Sequence, residues 1–281
     1  MSRSGLSGLS QLFGLSGLLS SLGSFNISWR FIRVCRRNLI VYRKIWKISF
    51  VPPLLEPLFY LVAFGVGLSS FIETISYEGL AVSYIAFITP SLLAINMMQN
   101  AFFENTYASF VRMYYQKTFD AMMATPLCLE EIITGEIIWG ATKSAIATII
   151  MLAVISVFGL ASYPHSLLIV PLSFLAGLAF GSVGMLFTAL VPSIELFNLP
   201  VFLFVTPMFL FSGTFFPVEN LPGWAQKLAL LFPLTHLVRL TRHFCLGLIG
   251  VDLLWEIGYL LAFCLVFFPA ALIGMHRRLV H

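Results

Sequence analysis

The sequence predicts an all-α, polytopic membrane protein with six membrane-spanning helices, and three observations carry that prediction. Of 281 residues, 59% are hydrophobic and 10% charged, and the mean hydropathy is +0.95. Soluble domains are about a quarter charged, so this chain has too little polar surface for water and takes lipid as its main solvent. The apolar runs are about 20 residues long without two-residue alternation, which in a bilayer selects helices over a barrel. Lys and Arg, finally, fall in blocks that assign one side of the membrane.

In chain order, residues 1–24 repeat Ser, Gly and Leu. Glycine interrupts the apolar run and only Arg3 is basic, so a flexible or weakly helical tail is expected rather than a secretory signal. Residues 25–47 predict an amphipathic helix in the inner interface. Phe31, Ile32, Cys35, Leu39, Tyr42 and Trp46 recur at helical spacing, Arg33, Arg37 and Lys44 oppose them, and Arg36, Arg43 and Lys47 flank. Such a helix either anchors the chain to headgroups or docks a cytosolic partner.

Spans are expected near 48–70, 83–103, 137–160, 167–191, 197–216 and 252–275, making 48–275 the transmembrane domain and 276–281 a cytosolic end. The intervening turns carry Pro, Gly, Ser or charge. Six spans put twelve of the sixteen Lys and Arg on one side, with Lys227, Arg239 and Arg242 opposite and Lys143 inside the third span. Both termini are therefore predicted to be cytoplasmic.

Two connecting segments are more than loops. Residues 104–135, on the cytoplasmic side, are too regular for disorder. Arg112, Lys117 and Asp120 punctuate an aromatic, Met-rich helical stretch, and Thr125-Pro126 breaks it, because the residue before proline avoids the α region. A new helix begins near Leu129, with Glu130 and Glu131 at the positive end of its dipole. The segment either transmits force from a partner or packs on the inner leaflet. On the other side, residues 217–245 are too polar to span and too apolar for a free loop, so two short re-entrant or interfacial helices divided by Pro233 are expected.

An ionised group at the bilayer centre costs about 2.5–3.5 kcal/mol on insertion scales. Glu56, between Pro53 and Pro57, is a candidate for the pathway, the dimer contact or a bond to a neighbouring helix. Lys143 snorkels toward the cytoplasm and shares a face with Glu136, its expected partner. Asn96, Asn100 and Glu104, with Gln99 beside them, form a polar stripe that either lines a pathway or bonds helices together. Gly177, Gly181 and Gly184 predict close helix packing.

No catalytic or metal site is expected. Cys35, Cys128, Cys245 and Cys264 form no pair, and the five histidines lack ligand spacing. The two G-x-S-G matches, at Gly5–Gly8 and Gly14–Gly17, lie in the N-terminal tail, outside any span that would shelter a protease nucleophile. Leu6–Gln11 looks superficially like an ATPase signature, but leucine replaces its second glycine and no phosphate-binding G-x-x-x-x-G-K-[ST] is present. A self-contained secondary transporter or channel would need midplane binding groups on broken helices, for which Glu56 is the one candidate.

Three separated stretches decide between these classes. AFFENTYASFVRMYYQKTFDAMMATPLCLEEIITGEIIWG, TPMFLFSGTFFPVENLP and LFPLTHLVRLTR occur in that order. The chain from about Arg37 to Arg278 resembles the permeases of ABC-2-type exporters, and within them the branch that exports nodulation lipo-oligosaccharides. The resemblance implies a multi-pass subunit of the bacterial inner membrane that works as a homodimer with two separate ATPase subunits. ATP and Mg are then bound by the partner, and no cofactor or nucleic acid by this chain. It implies that Tyr115, Gln116, Lys117, Thr118, Phe119, Asp120, Met123, Thr125 and Pro126 form the coupling contact, and that Arg33, Arg36, Arg37, Arg43 and Lys44 sit on the interface helix near the ATPases. The 28 Phe and 10 Met favour an amphipathic or lipid-linked cargo, such as a lipo-oligosaccharide, glycolipid or hydrophobic natural product, although lipid-facing helices carry the same residues.

Overall fold

Helix α1 runs without interruption from Phe31 to Val62 and closes in a π-helical turn at Ala63–Leu68. The computed structural model describes residues 28–68, 74–248 and 250–280; the tail 1–24 and the side chain of Glu56 lie outside the described residues. The break expected near residue 47, between interface helix and first span, is absent. The basic stretch and the apolar stretch form one rod, because nothing between Lys47 and Val51 removes a helical hydrogen bond.

A two-stranded hairpin follows, β1 (Thr74–Tyr77) and β2 (Leu80–Ser83). It is the one two-stranded element in an otherwise helical fold among the described residues, so the all-α class stands with this small addition. Glu78 and Gly79 both take positive φ, 50° and 79°, the geometry that a two-residue hairpin turn requires.

Five helices among the described residues are long and apolar enough to cross a membrane: α2 (Tyr84–Tyr115), α4 (Leu129–Val157), α5 (His165–Leu190), α6 (Ile194–Phe211) and α9 (Leu253–Leu279). Between α2 and α4 lies the short α3 (Thr118–Met123), and between α6 and α9 lie α7 (Gly223–Leu231) and α8 (Pro233–Leu246). The chain is thus a polytopic helical membrane protein. Helix α2 continues twelve residues past the expected end at 103, and α4 starts eight before the expected 137, so most of segment 104–135 belongs to these two long helices. Glu104, Arg112 and Glu136 look like span boundaries in the sequence. Folded, they pair with one another and with Lys143, and the helices run on.

Two apolar clusters form the interior. The larger joins α2, α4, α5 and α8; the smaller joins the opposite ends of α2, α4, α5 and α9 to α3 and the start of α1. The three span-four glycines sit at close approaches. A Cβ on Gly177 would lie 2.5 Å from Ala141 Cα, one on Gly181 2.8 Å from Asn105 Nδ2, and one on Gly184 2.8 Å from the Phe102 carbonyl. Helices α6 and α9 instead expose Phe202, Leu203, Trp255 and Leu265, an apolar surface that needs lipid or protein cover.

Candidate functional site

At one end of the bundle, α3 is only six residues long, too short to hold a helix unaided. Three devices hold it. Lys117 takes left-handed φ of 52° and turns the chain sharply out of α2. Phe119 is completely buried in the smaller apolar cluster, which also contains Phe110, Leu129 and Ile133. Helix α1 and the residue before it hold the segment: Arg37 Nη2 donates to Thr118 Oγ1 at 3.5 Å at the start of α3, and Arg30 Nη1 to the Pro126 carbonyl at 2.9 Å just beyond its end. Around this anchor Tyr115, Gln116, Lys117, Asp120, Thr125 and Pro126 remain exposed. The Lys117–Asp120 pair, 3.9 Å apart and open to solvent, adds little. Just beyond, Glu131 Oε2 accepts from the Cys128 amide at 3.0 Å and starts α4.

Beneath α3 a charged network ties three helices. Glu136 of α4 is fully buried; its carboxylate accepts from Asn38 Nδ2 (2.8 Å), Ser109 Oγ (3.0 Å) and Arg112 Nε (2.8 Å). Arg112 reaches on to Glu104 Oε1 at 2.8 Å, and Lys143 Nζ meets Glu104 Oε2 at 2.8 Å. The expected Lys143–Glu136 pair is therefore corrected: Lys143 belongs to Glu104 and Glu136 to Arg112. The turns carrying Glu104 and Arg112 are π-helical, a local widening often found at functional positions. Removing one partner of such a buried pair typically costs about 3–5 kcal/mol, so the contacts among α1, α2 and α4 are strong here.

Of the apolar face expected of α1, Phe31, Cys35, Leu39 and Tyr42 are half-buried, whereas Ile32 and Trp46 are exposed. Val34 and Asn38 are buried, and Arg37, expected on the opposite face, is half-buried beside them. Asn38 draws the inward face round because it satisfies a Glu136 oxygen. Arg33, Arg36, Arg43 and Lys44 remain on the outside.

A cavity of about 660 Å³ opens between α1, α2 and α4 next to the network, lined by Gln99, Asn100, Glu104, Tyr42 and Trp139 among others. Asn100 Nδ2 bonds Asn96 within the helix, to its carbonyl at 2.9 Å and its Oδ1 at 3.0 Å. Of the predicted stripe, Gln99, Asn100 and Glu104 reach the cavity while Asn96 is buried behind them.

The opposite end holds a second polar group. Arg242 of α8, 2% exposed, donates to the Phe87 carbonyl (3.2 Å), Ser91 Oγ (2.5 Å) and the Gly213 carbonyl (2.9 Å). Its guanidinium stacks 3.7 Å from the Phe87 ring centre. His236 and Arg239 of α8 hold Glu256 of α9, and His243 holds Glu78 of the hairpin. No group of three or more His, Cys, Asp or Glu among the described residues is placed to hold a metal.

The ABC-2 type transporter family model matches residues 30–246, most of the chain. This chain belongs to that family. The ABC-2 permease is 35% identical over 252 residues to nodulation protein J of Rhizobium meliloti (90% of this chain, 95% of that protein). It is 36% identical over 262 residues to nodulation protein J of Rhizobium leguminosarum bv. trifolii (93% and 98%). It is also 26% identical over 228 residues to the inner membrane transport permease YadH of Escherichia coli K12 (81% and 87%). ABC-2 permeases are membrane transport components that normally work with a separate ATPase subunit. In this permease the structure brings residues 115–126 together around Phe119 and joins them through α1 to Glu136 and Glu104. The four charges of the network are visible in the sequence; their actual pairing, across 8, 24 and 39 positions, is not. Arg242 was visible only as a charge on the outer side.

Proposed function

We propose that this permease exports an amphipathic or lipid-linked substrate from the cytoplasm or inner leaflet, driven by ATP hydrolysed on a separate ABC ATPase. The observation that carries the reading is α3: a short helix with an exposed outer face, moored by one buried ring and hydrogen-bonded to α1, which the buried charged network ties to α2 and α4. A pull or push on such a helix is passed to α1, α2 and α4, because the buried network resists separation. In this reading two permease copies pair, two ATPases bind ATP and Mg, and closure of the ATPase dimer rocks residues 115–126. The pathway opens at the permease axis.

The same reading supplies the topology. The apolar part of α1 serves as a first span, giving six, with the basic end of the bundle, both termini and α3 in the cytoplasm of a bacterium and the chain in its inner membrane. The positive-inside bias supports this orientation. Helices α7 and α8 then lie at the outer mouth. Lipo-oligosaccharide is the favoured cargo, supported by the likeness to nodulation protein J over nearly the full length of both chains. Purifying the permease with its ATPase and measuring hydrolysis tests the proposal: the permease is expected to stimulate turnover. Full transport by this chain alone, without nucleotide, would instead favour a self-contained transporter or channel.

A further inference from the structure

The network facing the cavity is not charge-balanced. Arg37, Arg112 and Lys143 stand against Glu104 and Glu136, and both carboxylates are already held by Arg112 and Lys143. Among the described residues Arg37 has no carboxylate within ion-pair distance. Its donors go to neutral oxygens, Asn38 Oδ1 at 2.8 Å and Thr118 Oγ1 at 3.5 Å. Glu136 acts on Arg37 at longer range, across Asn38, but its carboxylate is matched by Arg112. A half-buried guanidinium whose direct acceptors are neutral gains from an anion, since charge-assisted, bidentate contacts are its best ones.

The lining of the cavity that Arg37 shares is mixed. Gln99, Asn100 and Lys143 contribute polar groups, whereas Val41 and Ile45 of α1 line it and stand half-exposed on the helix surface. Tyr42 and Trp139, packed edge-to-face with ring centres 5.7 Å apart, also line it. An occupant that matches this guanidinium beside such a lining has an anionic head and an apolar tail.

We propose that the cavity between α1, α2 and α4 binds the anionic headgroup of an amphipath entering from the bilayer, its phosphate or carboxylate on Arg37 and its chain leaving past Val41 and Ile45. The inference rests on the membrane placement of α1 given above but not on ATP-driven export. Binding is therefore measured on the permease alone, and its failure leaves the ATPase measurement untouched.

Trp139 is a built-in reporter. In a chain with Trp29, Trp46, Trp224 and Trp255 changed to Phe, reconstituted in nanodiscs, brominated phosphatidylglycerol is expected to quench Trp139 at about a tenfold lower mole fraction than brominated phosphatidylcholine. Tenfold is what one charge-assisted hydrogen bond supplies. Arg37→Gln is expected to erase the preference and Arg37→Lys to keep most of it. Arg277→Gln removes one exposed charge from the same end of the bundle and should leave the preference intact. Inorganic phosphate in the bath separates the sources of the anion: unchanged quenching supports a bilayer-borne headgroup, and full relief overturns it in favour of a soluble phosphate compound. Equal quenching by the two lipids, or a preference lost equally in Arg277→Gln, overturns the site.

Discussion

Replacing Phe119 by alanine tests how the end of the bundle that carries α3 works. The ring is fully buried, and Phe→Ala at such a site costs about 3–5 kcal/mol, counting lost burial and the cavity left behind. Against this loss α3 has little in reserve. Six residues do not sustain a helix, and its remaining ties, Arg30 to Pro126 and Arg37 to Thr118, lie at partly or fully exposed positions, worth about 0.5–1.5 kcal/mol each. The deficit falls on α3 and not on the bundle, because α1, α2 and α4 stay fastened by Glu136, Arg112 and Glu104. Phe119→Ala should therefore release residues 118–125 while leaving the long helices folded. Hydrogen exchange checks the release: amides there should exchange at least tenfold faster, with those of α4 unchanged. ATPase assays check the consequence: the permease variant should no longer stimulate its partner, whereas Phe119→Leu should retain most stimulation. If α3 exchanges freely and stimulation is undiminished, the moored helix is not the coupling element and the reasoning fails.

Other outcomes follow from the same geometry. In a double-mutant cycle of Glu136→Gln and Arg112→Gln, read by unfolding in mixed micelles, the two changes should couple by about 2–3 kcal/mol rather than add. Cys128 is exposed, whereas burial pushes the Cys35 thiol up to about 11 and the Cys245 thiol up to about 12. A raised pKa withholds the reactive thiolate until higher pH, so at pH 7 maleimide should modify Cys128 far faster than Cys35 or Cys245, and bound ATPase should protect it. Arg242→Gln strips donors from two buried carbonyls and Ser91, and should destabilise the end of the bundle that holds α8 by about 3 kcal/mol, seen as faster exchange at residues 212–216.

What was legible in the sequence was what depends on near neighbours. Thr125-Pro126 and the acid pair Glu130-Glu131 located the start of α4 at Leu129. The spacing of Gly177, Gly181 and Gly184 located a close helix contact. What depends on distant partners was not legible. The sequence places the end of the second span at 103, just before Glu104, because a lone charge is expensive in lipid, and only Arg112 and Lys143, farther along the chain, remove that expense. The hairpin escaped notice because Glu78-Gly79 is not among the usual turn pairs and Glu78 takes a positive φ that its residue type rarely adopts. Arg37 looked like one more basic residue on a wet face, and it turns inward only because Asn38 beside it is committed to Glu136.

The central claim is that this permease moves its cargo only when a second chain hydrolyses ATP against residues 115–126. Its most direct test is transfer of labelled lipo-oligosaccharide across proteoliposomes holding the permease with or without its ATPase. The account predicts transfer only with both chains, only with ATP and Mg, and none with Phe119→Ala. Transfer by the permease alone at the same rate, indifferent to nucleotide, would contradict it.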